Sequence, residues 1–245
     1  MSGCYAVFYR EALMLYKRIG RMGYIFSSII SPFIYLFAFG FGLGKRVEVE
    51  GGYLPFLAGG IIAITIMINS FQQTASSISA GRTYYHIFQN LVLSPISDLA
   101  VIFGIAACGM MRGLFFGGLI YTMAWLVFDA AHFTLTILAG AVFGSFCFAA
   151  LGIIVGLVVN QPDDVSFVNN FFIMPMTFFG GSFFPVDSLP GYLQVVVQLF
   201  PIGALNRLMR ATAWSGEMTN AVLLLLALGI CFTVIAVGKY RQYSE

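Results

Sequence analysis

The strongest constraint on this chain is a succession of apolar runs, each long enough to cross a bilayer. A spanning helix needs about 20 consecutive apolar residues to traverse the hydrocarbon. Residues 24–44, 53–74, 99–128, 133–159, 167–184 and 221–237 meet that requirement in turn. They predict an all-α integral membrane protein with about six transmembrane helices, forming one transmembrane domain over residues 1–245. The third and fourth runs are long enough to tilt or to project beyond the bilayer. Asn169 and Asn170 make the start of the fifth the weakest boundary.

Composition closes off the soluble alternative. Hydrophobic residues make up 60% of the 245 and charged residues 9%, against roughly 25% charged in soluble domains. The mean hydropathy is +0.91. No charged shell is available to keep a folded domain dispersed. A net charge of +2, with basic residues at segment ends, gives no footprint for nucleic acid.

Ahead of the first span, residues 5–21 read YAVFYREALMLYKRIGR. Tyr5, Phe8, Tyr9, Ala12, Leu15, Tyr16 and Ile19 recur at helical spacing, with Arg10, Glu11, Lys17, Arg18 and Arg21 assigned to the opposite face. This predicts an amphipathic helix over residues 1–22 lying in the membrane interface, in preference to a solvated helix packed on protein. A cleaved signal peptide would instead open with a short basic region and a shorter apolar core.

Lys and Arg near the segment ends set the orientation. With the N-terminus cytoplasmic, Arg10, Lys17, Arg18, Arg21, Arg82, Lys239 and Arg241 lie inside. Lys45, Arg46, Arg207 and Arg210 then lie outside, so both termini are expected in the cytoplasm. Two connections are unusually apolar. Residues 81–97, GRTYYHIFQNLVLSPIS, predict a short cytoplasmic helix ending before Pro95, because a proline disfavours helix at the residue ahead of it. Residues 184–216 hold two apolar pieces divided by Pro201, each too short to span. They predict a pair of short helices dipping into the outer leaflet, with 185–213 as an outward-facing re-entrant region.

Groups able to carry chemistry are sparse. His86 and His132 fall on opposite sides of the predicted membrane and cannot share a metal or a proton. Asp163 and Asp164 read as solvated loop carboxylates. Cys4, Cys108, Cys147 and Cys231 are scattered without a CxxC pair and read as small apolar filler. GFGLGK at 40–45 departs from the phosphate-loop pattern at Phe39 and Arg46, so no nucleotide site or metal site is expected on this chain. Those glycines, with Gly113, Gly117, Gly140, Gly144, Gly152 and Gly156, predict close helix approach.

Arg112 is the sharpest single residue. It falls near the middle of the third run, where a charge costs roughly 2.5–3.5 kcal/mol on insertion scales. It either pairs with a carbonyl or polar side chain, or attracts an anionic group on a substrate path. All ten acidic residues read as lying in loops or near ends, so no acid is expected at its depth. Coupled carriers use intramembrane carboxylates or broken helices, and their absence points to energy supplied by another subunit.

Four segments carry a resemblance: YREALMLYKRIGRMGYIFSSIISPFIYLFAFGFGLG with Pro32, the pair YLPFLAGGIIAITIM and LVLSPIS, and FFGGSFFPVDSLPGYLQVVVQLFPIGALNRLMRA. In this order the chain resembles the membrane subunit of a type-2 ABC exporter, the ABC-2 permease family, over nearly its whole length. The resemblance implies that 82–95 is a coupling helix seated on a separate ATP-binding subunit, with Arg82, Tyr84, Phe88, Leu91, Val92 and Pro95 at the contact. The lead into it lacks the Glu- and Arg-rich stretch expected of many relatives. Pro185, Pro190, Pro201, Arg207 and Arg210 would belong to the exit region. ATP and Mg would sit on the partner subunit, and this chain would not be an enzyme. A second copy of the chain would complete the pathway, with membrane lipids around it, in a bacterial plasma membrane. The cargo implied is amphipathic: a lipid-linked glycan or polysaccharide, a lipid or a drug-like molecule. Three rival functions stand beside it: a self-contained channel or ion-coupled carrier, whose polar lining is mostly lacking here, a lipid-directed membrane enzyme, for which the sequence offers no convergent catalytic group, and an assembly factor without cargo, whose sequence would look much like this one.

Overall fold

A computed structural model of the chain describes residues 3–19, 22–44, 49, 51–83, 94–130, 133–159, 161–186, 190–191, 194, 197 and 200–244. The chain begins with α1 (Gly3–Ile19) and α2 (Met22–Leu43), followed by three long helices: α3 (Tyr53–Thr83), α4 (Asp98–Phe128) and α5 (Leu135–Val158). Then come α6 (Pro162–Val168), a π-helical turn (Asn169–Ile173) and α7 (Met174–Phe179) in one run, α8 (Pro201–Arg210) and α9 (Gly216–Ser244). Four of these, α3, α4, α5 and residues 216–242 of α9, are long and apolar enough to cross a membrane. The first expected span is α2, which holds the apolar stretch Ser28–Gly42 among the described residues. The fifth is the α6–π–α7 run.

α3 is the central helix, buried along nearly its whole first half. It runs antiparallel to α4: a Cβ at Gly109 would lie 2.6 Å from Thr74 Oγ1, and one at Gly117 2.5 Å from Ile66. On its other side a Cβ at Gly152 of α5 would lie 2.5 Å from the Phe71 carbonyl oxygen. In hydrocarbon, lipid tails are as apolar as leucine, so such close backbone approach is the source of cohesion. The expected role of the small residues in α4 and α5 therefore holds. At the end of α2 it holds for Gly40, which abuts Leu54, while Gly42 meets no neighbour.

Several expected boundaries move. The second span continues as helix through Thr83, so Gly81 and Arg82 form the last turn of α3. Asp163 and Asp164 occupy the first turn of α6 instead of a loop. Asp164 accepts a hydrogen bond from the Gln161 backbone N–H at 3.3 Å, a reciprocal cap in which the carboxylate also complements the helix dipole. The π turn has a local cause. Pro175 has no N–H to give the Phe171 carbonyl and its ring crowds that position; the Met174 N–H instead bonds back to Asn169.

One end of the bundle gathers the start of α1 (Gly3 against Ile96), the start of α4 and the end of α9, where Arg241 Nε lies 3.0 Å from Asp98 Oδ2. Both described chain ends thus lie together. The opposite end gathers the start of α3, the 180–183 turn and the end of α8. α8 lies within the level of α5: Leu205 packs on Gly144 and Leu208 on Gly140. Val197 and Phe200 reach down to line a cavity with Phe71 and Leu151. Of the expected re-entrant pair, α8 is described and enclosed by protein, while most of residues 187–199 lie outside the described residues.

Candidate functional site

Three arginines organise the two ends and the middle. At the α3–α4 end, Arg82 donates from Nη1 to the carbonyls of Gly156, Leu157 and Val159, the last two turns of α5. A helix C-terminus leaves its final carbonyls without intrahelical donors and carries a partial negative charge, and a guanidinium answers both needs. Arg82 therefore ties α3 to α5 immediately before residues 84–93. Tyr84, Phe88, Leu91 and Val92 lie outside the described residues. Pro95 is exposed in a bend ahead of α4, where the Ile96 N–H bonds to the Ser94 carbonyl at 2.7 Å.

In the middle, Arg112 is 4% exposed. Its neighbours Gly109 and Gly113 pack on Ala149 and Ser145, about halfway along α5. The expectation that no acid reaches this depth is overturned by α1. That helix lies along the first half of α4, with Val7, Glu11 and Leu15 turned inward and buried. Glu11 Oε2 sits 3.6 Å from Arg112 Nη2 and accepts from Ser77 Oγ at 3.2 Å, while its Oε1 accepts from Arg10 Nη2 at 2.6 Å. Arg112 Nη1 donates to the Gln73 carbonyl at 3.2 Å. Arg112 thus has a carboxylate from α1 and a carbonyl from α3. Glu11 belongs to the inner stripe of α1, because positions 7, 11 and 15 repeat every four residues and share a face.

At the far end, the turn between α7 and the re-entrant region is clasped by side chains. Asn206 Nδ2 donates to the Gly180 carbonyl at 2.8 Å and to Ser182 Oγ at 2.9 Å. Arg210 Nη2 donates to the carbonyls of Gly181 and Ser182 at 2.8 and 3.1 Å, its Nε to the Phe56 carbonyl at 3.0 Å, and its guanidinium carbon lies 3.5 Å from the Phe56 ring centre. Tyr53 Oη donates to the Phe183 carbonyl at 3.2 Å. Four consecutive carbonyls are therefore held. Glycine is required twice: Gly181 has φ of 78°, and the Gly60 backbone leaves no room for a Cβ beside the Ser182 carbonyl. Pro201 opens α8, where its missing N–H costs nothing. Pro185 is half-buried, and Pro190 and Arg207 are exposed. Asn206 and Tyr53 were not singled out by sequence; a polar residue inside the apolar LNRLM stretch was the available signal.

The arrangement contains helices packed on small residues, a turn at 180–183 closed by an arginine from α8, and two long antiparallel helices, α3 and α4. Known proteins supply the comparison. Inner membrane transport permease YadH of Escherichia coli strain K12 is 28% identical over 177 residues, 71% of this chain and 69% of that protein. Nodulation protein J of Sinorhizobium fredii is 27% identical over 208 residues, 82% of this chain and 78% of its own length. Nodulation protein J of Rhizobium meliloti is 26% identical over 233 residues, 93% and 87%. The family described as ABC-2 type transporter matches residues 3–214. With most of its length inside that match, the chain belongs to the ABC-2 type transporter family of membrane transport permeases.

Proposed function

We propose that the chain is the permease subunit of an ATP-driven exporter, which moves an amphipathic cargo outward across a bacterial inner membrane through the interface between two copies. A separate ATP-binding subunit hydrolyses ATP and seats on residues 82–95, with both termini on that cytoplasmic side. The observation that carries this reading is the joint itself. α3 and α4 each have 31 residues, so each is about 46 Å long, against roughly 30 Å of hydrocarbon. They pack antiparallel, and the short link from 84 to 97 connects them at the end where Arg82 grips α5. A push on that link is delivered to the three helices at the core. Closure of an ATPase pair would then bias the arrangement of the permease by its differential contact with two states.

Gentle detergent extraction from the native membrane, followed by mass spectrometry, tests the reading. A stoichiometric subunit carrying a phosphate loop is expected to travel with the wild-type chain. The Leu91→Asp variant should insert at normal levels and lose that subunit, because a carboxylate would enter an apolar contact. A wild-type chain that purifies alone, or a variant that keeps its ATPase, sinks the proposal.

A further inference from the structure

The coupling proposal leaves one buried acid without a task. Glu11 is 6% exposed, on a helix whose other inward residues are Val7 and Leu15. An ionised carboxylate in such a place is costly unless it is paired and hydrogen-bonded. Its partners come from three elements: Arg10 on α1, Ser77 on α3 and Arg112 on α4. Arg112 is also bonded to Gln73 of α3. The surrounding α3–α4 seam is polar and poorly satisfied, since Ser70 Oγ, Thr74 Oγ1 and Arg112 Nε are buried without a hydrogen-bond partner among the described residues. Small residues let the two helices touch closely and favour the register that sets each glycine against its neighbour. A buried ion pair adds a second constraint, and fixing register is the best-attested use of a buried charge.

We infer that Glu11 is a positioning residue: through Arg112 and Ser77 it sets the register of α3 against α4, and thereby the position of residues 84–97 that join them. α1 is then the latch that holds the hairpin in one arrangement. The consequence for transport rests on the docking of an ATPase at that link. The positional claim itself needs no partner.

The test is a double-mutant cycle on the full-length chain in detergent or nanodiscs, with Glu11→Gln, Arg112→Gln and the pair combined. Thermal unfolding reports stability, hydrogen exchange of residues 84–97 reports the joint, and ATPase co-purification is followed in parallel. Glu11→Gln strands the buried Arg112 charge without its carboxylate and should lower the unfolding temperature most, whereas Arg112→Gln leaves Glu11 its Arg10 partner and should lower it less. The double variant removes the cation that Glu11→Gln strands and should regain most of that loss. Exchange in 84–97 should nevertheless remain about tenfold faster than in the wild type, because the register is no longer specified. Exchange that returns to the wild-type rate together with stability would overturn the inference, as would no change in any variant. A wild-type chain that carries no ATPase would refute the docking reading while leaving the exchange result to decide the role of Glu11.

Discussion

Arg112 and Arg210 are both set deep in the protein, yet they are held in opposite ways. Arg210 is surrounded by backbone: three carbonyls from two segments, with the Phe56 ring beneath its plane. Arg112 has one carbonyl, and its charge is met by a carboxylate borrowed from a peripheral helix. A carbonyl cage cannot release its cation without unfolding the turn it belongs to. A side-chain partner on another helix can move away as a unit. The end of the bundle at the 180–183 turn is therefore built to stay, while the middle carries an interaction that can be made and broken.

Replacing each arginine by lysine is the sharpest way to break this contrast. Arg210→Lys should cost about 3 kcal/mol, since an ammonium cannot span the fork or stack on the ring and leaves buried carbonyls unmet. Arg112→Lys should cost about 1 kcal/mol, because one acid and one carbonyl remain within reach of a point charge. Fluorescence-detected unfolding in detergent, using Trp125 and Trp214, separates the two; equal losses would erase the distinction. Asn206→Ala should follow at about 1–3 kcal/mol, because the Gly180 carbonyl loses its donor in a buried site. The smallest effect belongs to the exposed ion pair of Asp98 with Arg241. Asp98→Asn should change stability by less than about 1 kcal/mol, and the difference should vanish in high salt.

Much of the fold was legible because hydrocarbon imposes a simple rule on length and polarity. α3, α4, α5 and α9 follow from uninterrupted apolar runs, and the close packing of α4 and α5 follows from glycines at helical spacing. The short helix α8 could be read from Pro201 at the start of a piece too short to cross, while the piece before it lies mostly outside the described residues. What escaped was angular and long-range. Glu11 was assigned to the polar side by its charge, although its turn of the helix places it between Val7 and Leu15. The cap supplied by Asp164 hid in a stretch that reads as loop, because capping depends on one backbone N–H. The clasp of the 180–183 turn joins residues from three separate parts of the chain, and no local pattern announces it. The segment bearing Tyr84, Phe88, Leu91 and Val92 stays a matter for the extraction experiment.

The clasp has a consequence for how the protein is made. Arg210 bonds to a carbonyl 154 residues earlier in the chain. At synthesis rates of about 5–20 residues per second, Phe56 waits roughly 8–30 s for its partner. Once α3 and α4 are made, the backbone groove at Gly59 and Gly60 still stands uncovered until the end of α8 follows. The pair formed by Glu11 and Arg112 closes much sooner. The clasp is thus among the late features of the molecule to form, and a nascent chain halted before residue 210 would present an open groove to whatever surveys the membrane for unfinished proteins.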